Sequence, residues 1–225
     1  MLSVVVPTRN SEEGLARTLS SLVSGAAEGV VREVVVVDEA STDGTRIVAD
    51  AAGCTLVEGR GGWCGKIATG LGAARRAPWF LVLPPNVFLE GEWFREAASF
   101  VDRVERMGRG ETSIAAFRLA YDEFGWRARV AERLAGFAQG LMGLPGAEQG
   151  LLVARAPLEA AALAAGPNAG HAALLRRLAR SRRHVLRADA VVLPPGGGAS
   201  AVPSLAGLVR IAAGAVGLPP ADSGI

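Results

Sequence analysis

Cysteine is scarce in this 225-residue chain: there are two, Cys54 and Cys64, and they form no CxxC pair. That scarcity argues against a disulfide framework or a zinc site and points to a reducing compartment, the cytoplasm. Lysine is scarcer still. Of 24 basic residues 23 are arginine, and Lys66 is the single lysine. No window reaches 18 uninterrupted apolar residues. The best candidate, 199–218, is broken by Pro203 and Arg210 and dominated by Ala and Gly. This argues against a transmembrane span and leaves room for a helix lying on a membrane surface. The opening MLSVVVPTRN has neither the basic nor the long apolar stretch of a secretory signal. An excess of one charge sign is also missing. The net charge of +2 leaves no broad electrostatic footprint for nucleic acid.

Apolar side chains are abundant, at 50% of the residues, which suffices for a core and excludes global disorder. Leu2 to Val6, ended by Pro7, reads as a buried strand, and Asn10 or Ser11 can cap the helix that follows. Glu12 and Glu13 fall in its first turn, and Leu15, Leu19, Leu22 and Val23 recur at helical spacing. Val34 to Val37 is a second buried strand ending at Asp38. Ser41, Thr42 and Asp43 offer cap oxygens for a helix closed by Gly53. Thr55 to Val57 is a third strand. A glycine-rich loop, 59–65, leads into a helix from Lys66 to Ala74, and Phe80 to Leu83 is a fourth strand stopped by Pro84 and Pro85. This alternation predicts a parallel sheet with ligands beyond the carboxyl ends of its strands.

The second half is less regular. Its pattern predicts helices over Glu92–Met107, Ala128–Met142, Pro157–Ala165 and Ala169–Ser181. Strands are expected at Ser113–Arg118, Leu151–Val153 and Val185–Leu193, the last ended by a Pro194–Gly198 breaker.

Three stretches in succession resemble a known family: SVVVPTRNSEEGLARTLSSL, then EVVVVDEASTDGT, then a glycine-rich loop with a basic residue before a helix and strand. Together they are similar to the family-2 glycosyltransferases of the GT-A fold, strongly over 1–85 and more faintly over 145–190. The resemblance implies a single α/β domain with a mostly parallel central sheet flanked by helices. Residues 1–198 would form it, with a nucleotide-binding half (1–86) and an acceptor half (87–198). Residues 199–225 would be an amphipathic helix or tail. It further implies a nucleoside diphosphate sugar as donor. The Pro7–Thr8 backbone and Glu12 would line the nucleoside pocket, and Asp38 would accept a hydrogen bond from the base or ribose. Lys66 would face the base or the phosphates. Asp43 reads better as a helix cap. Trp63 is the best of four tryptophans for stacking on a sugar or base, while Trp79, Trp93 and Trp126 suit packing.

Two departures from the family stand out. Its members carry an Asp-x-Asp after the fourth strand, which holds Mg or Mn against the diphosphate. The matching stretch here is Leu83-Pro84-Pro85-Asn86, so only Asn86 remains as a weak metal candidate. The family's acceptor base is an Asp in a Glu-Asp pair before an Arg-Leu. Aligning Arg177-Leu178 on that pair places Gly170 and His171 there, and neutral His171 can accept a proton. Glu148, in the loop before a strand and Arg155, is a second candidate base. Arg176, Arg177, Arg180, Arg182, Arg183 and Arg187, with the 203–218 segment, form a potential patch for an anionic membrane or a lipid-linked acceptor. The expected activity is sugar transfer with inversion, the metal site weakened or absent. A catalytically silent nucleotide- or protein-binding relative is the alternative.

Overall fold

The computed structural model describes residues 1–121, 146–178 and 181–193. The expected helix at 128–142, Trp126, Arg180, the 194–198 breaker and the 199–225 tail lie outside the described residues. Eight described strands form one sheet: β1 (Leu2–Thr8), β2 (Val31–Asp38), β3 (Thr55–Glu58), β4 (Trp79–Val82), β5 (Val87–Leu89), β6 (Ser113–Tyr121), β7 (Leu151–Ala154) and β8 (Arg182–Val192). The described helices are α1 (Glu12–Ala27), α2 (Thr45–Ala51), α3 (Trp63–Ala73), α4 (Trp93–Arg106), α5 (Arg155–Ala165) and α6 (His171–Arg177).

The strand order is β3-β2-β1-β4-β7-β6-β8-β5. β1 to β4 run parallel to one another, as their valine-rich runs and helical crossovers require. β7 is antiparallel to both β4 and β6, and β5 is antiparallel to β8. β6 and β8 run parallel to each other. Six strands therefore point one way and two the other, which makes a mixed sheet with a parallel majority. β5 has no counterpart in the sequence pattern, because three residues after two prolines carry no periodicity. α6 is shorter than the predicted 169–181: it starts at His171 because Gly170 is its N-cap.

Strand alternation sends side chains to two cores. Leu2, Val4 and Val6 of β1, Val36 of β2 and Leu81 of β4 pack with α1 and α4 on one face. Val5, Val35, Val37, Phe80 and Val82 pack with α3, α5 and α6 on the other. Trp93 is fully buried against α1, where its indole N–H donates to Ser21 O at 2.9 Å. Trp79 is buried too and donates to Glu105 at 2.8 Å. Both are core packing residues. Complete burial of such rings contributes roughly 3 kcal/mol each. The result is a three-layer α/β/α domain in which the parallel strands end along one edge.

Candidate active site

The loops after β1 and β2 are sewn to each other at that edge. Asp38 is fully buried. Its Oδ1 accepts from the Thr8 hydroxyl at 3.1 Å and the Ser41 hydroxyl at 2.5 Å, and its Oδ2 accepts from the Ser41 amide at 3.0 Å. A carboxylate taken out of water needs such partners. Both oxygens therefore serve the loop, and none of the Asp38 surface is open to a ligand. Thr8 is buried with it, and Pro7 lies inside β1, paired with Val37.

A second knot lies beside the first. The Glu12 amide donates to Asp43 at 3.1 Å, and the Glu12 carboxylate accepts from the Gly44 amide at 2.8 Å. Asp43 also accepts from the Thr45 amide at 3.1 Å and from its hydroxyl. Burial raises the Asp43 carboxyl, but these hydrogen bonds outweigh it and hold the group below the usual range. The N-cap of α2 is Gly44; Asp43, one place before it, holds the first helical residue, Thr45, and Glu12 pins the same turn.

Glu39, one place beyond Asp38, is partly exposed and has a different partner. Its carboxylate meets the Lys66 ammonium at 2.6 Å, with the two side chains 28% and 13% exposed. The Lys66 partner holds the Glu39 carboxyl below the usual carboxylate range, and Arg9 acts in the same direction. The sequence carries one signal for Glu39: β2 alternation turns Val36 and Asp38 to one face, so the acidic residue that follows Asp38 turns away from it. The chain then turns at Ala40, whose φ of 51° lies in the left-handed region.

Lys66 stands in the first turns of α3, reached through the glycine-rich loop. Trp63, at the start of that helix, meets His171 at the start of α6 edge to face, with centroids 5.8 Å apart. Burial pushes the His171 imidazole down to about 4, so it is uncharged at neutral pH. Glu148 occupies the short 3-10 turn, 147–149, that precedes β7, and burial raises its carboxyl above the usual range. Because β7 is antiparallel to β4 with Leu151 opposite Val82, that turn lies at the edge where β4 ends, as does Asn86. Gln149 anchors the turn by donating to Phe117 O at 3.3 Å. Glu148 and His171 thus stand on different walls: one between β7 and its neighbours, the other on the α3 face.

The stretch after β4 is pinned from two sides. A Cβ at Gly14 of α1 would meet Pro85 O at 2.6 Å, and Asn86 O accepts the Leu193 amide at 2.9 Å. Pro84 is buried and has no oxygen ligand in its side chain. Asn86 offers one neutral amide oxygen, and among the described residues no three His, Cys, Asp or Glu side chains come together as a metal site would require. Hard divalent cations want anionic oxygens, so this donor set does not fit a firmly held Mg or Mn.

The Lys66–Glu39 pair stands just beyond the carboxyl end of β2, among the segments that carry the three sequence motifs. The sequence model for glycosyl transferase family 2 matches residues 3–122, more than half of the chain. The chain belongs to glycosyl transferase family 2. Its fold is that of the GT-A glycosyltransferases. It is similar to glucosyl-3-phosphoglycerate synthase from Mycobacterium tuberculosis, solved in complex with Mn2+, UDP and phosphoglyceric acid. That likeness has 19% identity and a TM-score of 0.56, and covers 100% of this chain and 81% of that one. S. aureus TarS is similar over 85% of this chain and 36% of its own, with 19% identity and a TM-score of 0.61. No curated protein sequence matches the chain. Among the described residues no helix is long and apolar enough to cross a membrane.

Proposed function

We propose that this family-2 chain moves a sugar, with inversion, from a nucleoside diphosphate donor to an acceptor hydroxyl. The observation that carries the reading is the Lys66–Glu39 pair at the carboxyl edge of the parallel strands, the position where open α/β sheets take nucleotides. Glu39 would accept from a base or ribose N–H or O–H. Lys66 would lie against the diphosphate and stabilise the departing charge, with Arg9 adding to the local field. Thr8, Glu12, Asp38 and Asp43 hold the loop that presents Glu39. His171, uncharged at neutral pH, or Glu148 would take the acceptor proton. The synthase of M. tuberculosis binds Mn2+ together with UDP. Among the described residues Asn86 is the counterpart of that metal site, and its neutral amide oxygen would hold a cation weakly.

A lipid-linked acceptor, with peripheral contact to the inner face of a membrane, is supported by the exposed Arg176, Arg177, Arg182 and Arg187. The 203–218 part of that surface lies outside the described residues. A second reading, a silent nucleotide-binding relative, is favoured by two features: Lys66 is already paired, and Pro84, Pro85 and Asn86 after β4 offer no acidic metal ligand. Calorimetry with UDP, GDP, ADP, CDP and TDP, followed by transfer assays with the matching nucleotide sugars, tests both. Binding with turnover supports transfer. Binding without turnover supports the silent relative, and binding of none of them refutes both.

A further inference from the structure

Residues 166–170 link α5 to α6 and lie across the N-terminus of α3. The Gly62 and Gly65 amides both donate to Pro167 O at 3.0 Å, and the Cys64 amide donates to Ala169 O at 3.0 Å. The close approach needs glycine. A Cβ on Gly62 would stand 2.5 Å from Asn168 O, and one on Gly65 would stand 2.6 Å from Pro167 O. Helix N-termini carry unpaired N–H groups that suit anions. In this chain three of those amides face carbonyls of another segment instead. The glycine-rich loop is therefore a seat for the chain that leads into His171, not a cradle for phosphate.

The seat fixes the start of α6 against the start of α3, where the Trp63 ring stands at 88° to the His171 ring. The indole N–H of Trp63 is buried and has no hydrogen-bond partner among the described residues. The ring contact itself covers one side of the imidazole. Burial is the one cause of the lowered His171 value. The ionisable side chains on the elements packed together here are Cys64 and Lys66 of α3, Arg155 and Glu159 of α5, and Arg176 and Arg177 of α6; none contributes to that shift.

We propose that Trp63 is a positioning residue for His171: its indole excludes water from one side of the imidazole, and the Gly62–Gly65 latch holds the two rings at contact. Trp63 then acts on the acceptor proton through His171 and not by stacking on a sugar. This rests on the reading of His171 as a base, and its test does not depend on turnover.

The chain has two histidines, so an NMR pH titration of the imidazole Cε1–H signals of the full-length protein separates them, with His171→Asn assigning the peaks. In Trp63→Ala the His171 midpoint should rise from about 4 toward its unperturbed value, by about one unit or more. Trp63→Leu should rise less, and Trp63→Phe should stay near wild type. In transfer assays Trp63→Ala should lower kcat about tenfold with donor KM within about twofold, and Trp63→Phe should restore it. A His171 midpoint unmoved in folded Trp63→Ala, or in Trp63→Leu should the Ala variant not fold, overturns the inference. A wild-type chain that binds no nucleoside diphosphate and transfers nothing refutes the glycosyltransfer reading, whatever the titrations show.

Discussion

The chain's single lysine and Glu39 meet at 2.6 Å, so the cation proposed to meet the diphosphate is already partnered. A paired Lys66 must divide its attraction between Glu39 and an incoming phosphate. Opposite outcomes follow for the two partners. Glu39→Gln should strengthen binding of inorganic pyrophosphate about three- to tenfold and flatten discrimination among nucleoside diphosphates. Lys66→Met should weaken every nucleoside diphosphate about tenfold or more. Calorimetry on both variants and the double variant checks this. Equal weakening by both changes would mean that the pair serves the loop alone.

The loop that presents Glu39 is strained at Ala40 and tied down at Asp38. A non-glycine residue in the left-handed region costs about 1–2 kcal/mol, while glycine adds about 0.4–1 kcal/mol of unfolded-chain entropy. Ala40→Gly should therefore stabilise the protein by about 0.5–1 kcal/mol in urea unfolding. Asp38→Ala strips partners from the Thr8 and Ser41 hydroxyls and the Ser41 amide, and should cost about 2–4 kcal/mol. Such a variant should also lose nucleoside diphosphate binding, because Glu39 and Ala40 follow directly.

The acid side of the stability curve should carry the mark of His171. Its folded value, about 4, lies below the ordinary 6.5, so the unfolded chain binds the proton more readily. The stabilising contribution is whole above about pH 6.5 and is lost as the pH falls toward 4. Across that window it amounts to on the order of 2–3 kcal/mol. His171→Asn should flatten the curve between pH 6.5 and 4, as read by denaturant midpoints. If His171 is the base, kcat should hold down to about pH 5 and not fail near 6.5.

Much of the fold could be read from the chain. The four valine-rich or aromatic runs with their intervening helices specified the parallel half, because a buried parallel strand admits few other residues. Lys66 stood out because arginine fills every other basic position. What stayed hidden depends on contacts between distant residues. Asp38 reads as a ligand-facing carboxylate until Thr8 and Ser41 are seen to occupy both its oxygens. The glycine-rich loop shows no purpose in the sequence until Pro167, about a hundred positions later, is found against Gly62 and Gly65. β5 is too short to leave a period, and the reversal of β7 has no trace in its apolar residues, which suit either direction.

The place of β7 bears on how the molecule assembles. Residues 151–154 lie between β4 and β6, which are much earlier in the chain. Among the described strands β4 and β6 are linked only through β7, so until β7 fills the slot between them their facing edges lack partners. The sheet can close only once residue 154 has emerged and threaded antiparallel into that slot. Such long-range closure slows folding and leaves hydrogen-bonding edges exposed meanwhile. The stretch 3–122 that marks the family is thus not a sheet that can complete itself.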